Sequence, residues 1–124
     1  TQVYASPYRN STLYYSVIGK KLRQPTCPES MDCRFLGFHK RAFEDVTLDK
    51  LYQYCLQRPN DTVAYIHNKG SYHPTGTNTV MRRVATKSVL SEACQQIGSD
   101  GSTCTACGPR FQSTPFLHFS TNMW

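Results

Sequence analysis

The sequence predicts an α+β fold in one domain over residues 1–124: two helices packed on a mainly antiparallel sheet and stabilised by disulfides. Two segments carry apolar residues at helical spacing, and several others carry the β-branched and aromatic residues that strands favour. Six cysteines are spread along the chain, an even number that suits a disulfide framework in an oxidising compartment.

Taken in order, Val3 to Tyr4 and Thr12 to Ile18 read as strands, with Pro7 and Asn10 turning between them and Gly19 ending the second. Pro25 to Asp32 is a loop carrying Cys27, and Cys33 to Phe38 is a short apolar strand. The first helix spans Leu48 to Gln57, capped by Thr47, with Asp49 complementing the helix dipole. Its apolar face is Leu48, Leu51, Tyr52, Cys55 and Leu56. Arg58 closes the last turn and Pro59 forbids continuation.

Thr62 to His67 alternates Val63, Tyr65 and His67 with Ala64 and Ile66, as a central strand does. Asn68-Lys69-Gly70 is a turn, Ser71 to Asn78 a loop, and Asn78 to Thr86 a basic strand holding Arg82 and Arg83. The second helix runs from Val89 to Ile97, capped by Ser88 and stopped at Gly98, with Leu90, Ala93, Cys94 and Ile97 as its buried stripe. Phe116 to Ser120 is the last strand. With one Cys on the apolar face of each helix, a bridge between the helices, or from each to the sheet, is geometrically reasonable.

Composition narrows the function classes. Apolar residues make up 39% of the chain, enough for one core, and no apolar run approaches the ~18–20 residues of a membrane-spanning helix. A start at Thr1 reads as a mature chain whose signal peptide has been removed, so secretion is expected. The sequons at Asn10 and Asn60 agree with that and are candidate glycosylation sites. The net charge of +6 is dispersed; its densest clusters are Lys20-Lys21-Leu22-Arg23, His39-Lys40-Arg41 and Arg82-Arg83. A basic secreted protein suits nucleic acid, anionic lipid head groups or acidic glycans as ligands. Arg82 and Arg83, followed by His39, Lys40 and Arg41, are the candidate binding residues.

Catalytic readings are weaker. Cys104-Thr-Ala-Cys107 has oxidoreductase spacing, but Gly108-Pro109 follows where a helix is needed. Zinc needs a second ligand pair, and none is spaced for it, so no metal or cofactor is expected. All six cysteines (Cys27, Cys33, Cys55, Cys94, Cys104 and Cys107) are expected in disulfides. The sharpest enzymatic alternative is a small secreted ribonuclease, or an RNA-binding protein. RNA cleavage needs a base, an acid and a cation at the phosphate. His39, His67, His73 and His118, with Lys69, Arg82, Arg83 and Glu44, supply the residue types, but no recognisable motif surrounds them. There is no nucleophile elbow, and acidic residues are adjacent only at Glu44-Asp45, which disfavours glycosidase chemistry. Eight Tyr and six Phe keep an extracellular glycan-binding module open; Tyr4, Tyr8, Tyr14 and Tyr15 are the candidate aromatic contacts.

In length, charge, cysteine count and α+β plan the chain resembles small secreted cysteine-rich fungal proteins, among them plant-pathogen avirulence effectors and killer-toxin-like domains. The resemblance covers the overall plan and no motif. It implies a secreted, non-enzymatic protein that binds a host or target protein. The dibasic pairs Lys20-Lys21, Lys40-Arg41 and Arg82-Arg83 run against such a route unless folded away from processing proteases.

Overall fold

The computed structural model of the protein describes residues 2–68, 75–98, 106–109, 111–115, 118–119 and 123–124. The chain divides into two compact units, one of Tyr8–Asp61 and one of Thr1–Pro7 with Thr62–Trp124.

In the Tyr8–Asp61 unit, strands β1 (Leu13–Ile18) and β2 (Cys33–His39) lie side by side and parallel. Parallel neighbours need a crossover of a dozen or more residues, and residues 19–32 provide it without a helix. The Cys27–Cys33 disulfide ties that crossover to the first residue of β2, and the Leu13 amide donates to the Asp32 carbonyl at 2.7 Å. Helix α1 (Asp45–Gln57) follows. It starts ahead of the expected Leu48: Asp45 Oδ1 accepts from the Phe43 amide, and Thr47 already lies within the helix. It stops where Pro59 requires.

A bulge interrupts the parallel pair. Tyr15 pairs with Phe35 and Ser16 with Gly37, so Leu36 has no partner. Tyr14, Ser16 and Ile18 therefore share one face with Arg34, Gly37 and His39, while Tyr15 and Val17 share the other with Phe35 and Phe38. Helix α1 lies along the first face: Tyr54 meets Tyr14, and Lys50 Nζ donates to the Leu36 carbonyl at 2.6 Å.

The other unit contains α2 (Gly76–Val89), the one-turn α3 (Glu92–Gln95) and a short antiparallel pair, β3 (Phe111–Gln112) with β4 (His118–Phe119). The core clusters Ala85 and Val89 of α2 with Met123, and Ala64 and Ile66 pack against it. Met123 is 0% exposed and Val89 1%. Tyr65 and Trp124 exchange both backbone hydrogen bonds, and their rings meet at 5.7 Å between centroids. That exchange holds Met123 in the core. The Cys94–Cys107 disulfide joins α3 to the segment that follows it.

The expected mainly antiparallel sheet is therefore corrected: among the described residues the longer strands form a two-stranded parallel sheet, and the antiparallel strand pair is the short β3–β4 contact. Strand-forming residues locate strands but do not set their direction, and the 19–32 link is long enough for a crossover. The basic strand expected over Asn78 to Thr86 is the interior of α2. Thr75 Oγ1 accepts from the Asn78 amide at 3.1 Å and caps that helix. Its β-branched residues imitate a strand, yet the buried Ala85, Thr86 and Val89 fall at helical spacing. The helix expected from Val89 to Ile97 is reduced to α3, capped by Ser91 rather than Ser88. Thr62 to His67 belongs to no strand, although Tyr65 pairs with Trp124 through the backbone, and Val3–Tyr4 is a turn. The expected last strand is His118–Phe119, with the remainder of Phe116 to Ser120 outside the described residues.

Candidate functional site

The α1 side of the parallel sheet gathers two tyrosines and two arginines. Arg34 stands directly across from Tyr14 in the strand register, which places its guanidinium carbon 5.8 Å from the centre of the Tyr14 ring. Tyr54 projects from α1 onto the same face, its ring 5.7 Å from that of Tyr14. One helical turn on, the Arg58 guanidinium lies 5.8 Å from the Tyr54 ring centre. Cation over ring and ring beside ring are each favourable contacts for a π-system with a negative face. Most of the row is exposed: Tyr14 retains 41% of its surface, the Arg34 and Arg58 side chains retain 60% and 64%, and Tyr54 is half-buried between them.

A carboxylate accompanies each arginine. Asp32 Oδ2 lies 3.0 Å from Arg34 Nη2 and also accepts from the Thr12 hydroxyl at 3.0 Å. The Arg34 hydrogen bond, followed by that of Thr12, holds the Asp32 carboxyl below the usual carboxylate range. Asp61 pairs with Arg58 at 4.0 Å and accepts from the Tyr54 hydroxyl at 2.6 Å. That hydrogen bond pushes the Tyr54 phenol up from its ordinary value, because ionised Tyr54 would lose its bond and face a carboxylate. Two arginines against two aspartates leave the row without net charge.

Farther along the same face, Ser16 Oγ and His39 Nε2 are buried and have no hydrogen-bond partner among the described residues. A Cβ built on Gly37 would sit 3.4 Å from His39 Nε2 and 3.8 Å from Lys50 Nζ. Each buried polar atom without a partner costs about 1–3 kcal/mol, so the strand pair gives up stability at Ser16 and His39.

The residues nominated from sequence are dispersed. Arg82 and Arg83 lie on α2, where consecutive side chains point about 100° apart rather than to opposite faces. Arg83 is exposed, Arg82 is half-buried and engaged, and the Gln2 side chain donates to the Arg83 carbonyl. His39 ends β2; Lys40 and Arg41 follow it, exposed. His39 belongs to the Tyr8–Asp61 unit, and Arg82 and Arg83 to the other. The His67 ring stacks on Tyr65 at 6.0 Å. His73 and Lys69 lie outside the described residues, as does the His118 side chain. Asn10 and Asn60 are both exposed, and Asn60 stands between Arg58 and Asp61 at the end of the aromatic row. Of the cysteines, Cys27 is bonded to Cys33 and Cys94 to Cys107; Cys55 carries a free thiol and Cys104 lies outside the described residues. Of the four tyrosines nominated as contacts, Tyr4 and Tyr14 are exposed, while Tyr8 and Tyr15 are half-buried.

Sequence reading missed Arg34, Tyr54 and Arg58 as members of a site. Tyr54 sits one position off the helix stripe, and Arg34 joins Tyr14 only through parallel pairing. Among the described residues no helix is long and apolar enough to cross a membrane, and no group of three or more His, Cys, Asp or Glu is placed to hold a metal ion.

The match to a family model covers residues 1–124, the whole chain. The chain belongs to the family described as Domain of unknown function (DUF8361). No curated protein and no solved structure matches it.

Proposed function

We propose that this protein is a secreted, non-enzymatic binding protein of the effector or toxin kind, which recognises a protein partner through Tyr14, Arg34, Tyr54 and Arg58. The observation that carries this reading is the exposed alternation of tyrosine rings and guanidinium groups on one face. Tyr and Arg are the residues on which binding energy concentrates at protein interfaces, because each offers a large flat surface with a polar tip. Their mutual contacts hold the side chains in place before a partner arrives, which lowers the entropy lost on binding. The pairing of each arginine with an aspartate supports a protein partner over RNA, since a polyphosphate chain calls for uncompensated cations. Two disulfides fit an extracellular setting. The cluster of His39, Lys40 and Arg41 and the pair Arg82 and Arg83 stand as the second candidate surface.

Photo-crosslinking from position 14, followed by mass spectrometry of secreted and surface proteins of the target tissue, tests the reading. One cross-linked protein is expected with the wild-type background, lost when Tyr54→Ala and Arg34→Ala are introduced and retained with Lys87→Gln, an exposed change on α2. Retention in the double variant removes this face from consideration. Turnover of labelled RNA that disappears on changing His39 or His67 to Ala overturns the non-enzymatic reading in favour of the ribonuclease.

A further inference from the structure

We propose that the end of the Tyr8–Asp61 unit at which β1 and β2 both finish is a docking surface for an anionic lipid bilayer, made by Lys20, Lys21, Lys40 and Arg41 with Leu22 and Phe43 entering the headgroup layer. Parallel strands finish at the same end of their sheet. Ile18 pairs with His39, and the Gly19 amide donates to the His39 carbonyl at 3.0 Å. Lys20 and Lys21 therefore leave β1 where Lys40 and Arg41 leave β2, although the two pairs are far apart in the chain. Helix α1 runs back along the sheet, with Lys50 at the Leu36 carbonyl and Tyr54 at Tyr14. Its first turn thus lies at that same end, and Phe43 precedes it. All four cations are exposed, as is Arg23, and none is paired with a carboxylate among the described residues. The carboxylates that follow, Glu44 and Asp45, are engaged: Asp45 Oδ1 accepts from the Phe43 amide at 3.1 Å, and Glu44 is half-buried and partnered.

Charge alone fits any polyanion. What selects a bilayer is the apolar pair among the cations: Leu22 is 49% exposed and Phe43 83%. Leu22 stands between Lys21 and Arg23, and Phe43 follows Arg41 and Ala42. A nucleic acid or an acidic glycan has no apolar phase for a leucine side chain. The boundary between headgroups and acyl chains takes up Leu and Phe, while the neighbouring Lys and Arg reach the lipid phosphates. The cations draw the protein to the surface, and the two apolar side chains hold it there. This end is distinct from the row of Tyr14, Arg34, Tyr54 and Arg58, which lies where the strands begin, and the proposal stands or falls without the partner-binding reading of that row.

The test is sedimentation of the full, disulfide-intact chain with sucrose-loaded vesicles of equimolar phosphatidylserine and phosphatidylcholine, against vesicles of phosphatidylcholine alone. Binding to the mixed vesicles is expected to be at least about 10-fold tighter, and to weaken as added salt shortens the Debye length. Lys20→Gln and Lys40→Gln are each expected to weaken it by about 5-fold, and Phe43→Ser and Leu22→Ser each by about 5-fold or more. All four positions are exposed, so the variants are expected to melt with wild type. Lys87→Gln, an equal loss of charge on α2, is expected to leave binding unchanged. Heparin in place of vesicles separates the other polyanions: heparin binding that needs Lys20 and Lys40, with vesicle affinity indifferent to Phe43→Ser and Leu22→Ser, overturns the proposal in favour of an acidic glycan. Equal binding to the two kinds of vesicle, or a loss on Lys87→Gln as large as on Lys20→Gln, overturns it as well.

Discussion

The two compact units are held together by different physics. In the unit of Thr1–Pro7 and Thr62–Trp124, Ala85, Val89, Leu90, Cys94, Tyr65 and Met123 are buried, and Thr86 Oγ1 faces the Met123 sulfur within that core. In Tyr8–Asp61, Met31 is the only buried large apolar residue among those described, and α1 buries none. What orders the latter unit is a parallel strand pair, one disulfide and a surface row of rings and guanidinium groups. Its apolar residues are instead on show: Phe43 is 83% exposed, and Tyr52 and Leu56 are each 60% exposed. The difference is one of burial. One unit packs a cluster of apolar side chains, while the other buries Met31 alone among its described large apolar residues and carries the row of Tyr14, Arg34, Tyr54 and Arg58 on its surface.

The largest test of that division is Met123→Ala. It empties a fully buried position, and equilibrium urea unfolding should register a loss of about 2–5 kcal/mol. Leu56→Ala on α1 should change stability by less than about 0.5 kcal/mol in the same experiment, since that side chain already faces solvent. Equal losses from the two variants would break the comparison.

Next in size are the disulfides. Cys94 and Cys107 close a loop with a separation of 13 residues, and replacing both by Ala should cost about 3 kcal/mol. Cys27 and Cys33 are separated by 6, and the smaller loop gives a smaller cost, about 2 kcal/mol. Denaturant midpoints of the two double variants check the order. Peptide mapping under non-reducing conditions should recover both pairings as linked fragments.

A spectroscopic prediction sharpens the account of the exposed row. In an ultraviolet pH titration, Tyr54 should ionise above the ordinary tyrosine value together with Tyr8, which burial also pushes up, and Tyr54→Phe should reduce that late component by one tyrosine. For a phenol raised in the folded state, the stabilising bond to Asp61 is present below the unfolded pKa and lost as pH rises through the folded one. A late component that Tyr54→Phe leaves unchanged would separate Tyr54 from Asp61.

The smallest effect lies in acid. The Asp32 carboxyl is lowered by Arg34 and Thr12, so its contribution is present above its unfolded pKa and is lost as pH falls through the folded one. Thermal melts of wild type and Asp32→Asn should therefore differ slightly near pH 6 and converge as pH falls through the lowered folded pKa of Asp32. Curves that stay parallel over that range would remove the Asp32–Arg34 pair from the folded protein.

Local chemistry was legible in the sequence wherever a segment's fate depends on its own residues. β1 and β2 occupy the two strand-like runs from Leu13 and Cys33. Pro59 ends α1 at Gln57, and Gly98, with φ of 76°, follows α3 in the left-handed conformation a stop requires. Disulfide bonding and mixed helix–strand content also follow from composition, but the expectation that all six cysteines are bonded is corrected at Cys55, whose place on α1 leaves it a free thiol while Cys94 bonds to Cys107. Tertiary structure alone decided the rest. Val80, Val84 and Thr86 prefer a strand in isolation, and only the Thr75 cap together with burial of Ala85 and Val89 against Met123 makes that stretch a helix. Strand direction depends on where residues 19–32 lead the chain, which no local propensity encodes. The aromatic row depends on that parallel register: Tyr14 meets Arg34, and past the bulge Ser16 pairs with Gly37, because the strands run the same way and one residue bulges out. Propensity acts over a few neighbouring residues, whereas register and burial are set by contacts between segments far apart in the chain, and a single sequence carries no direct record of those.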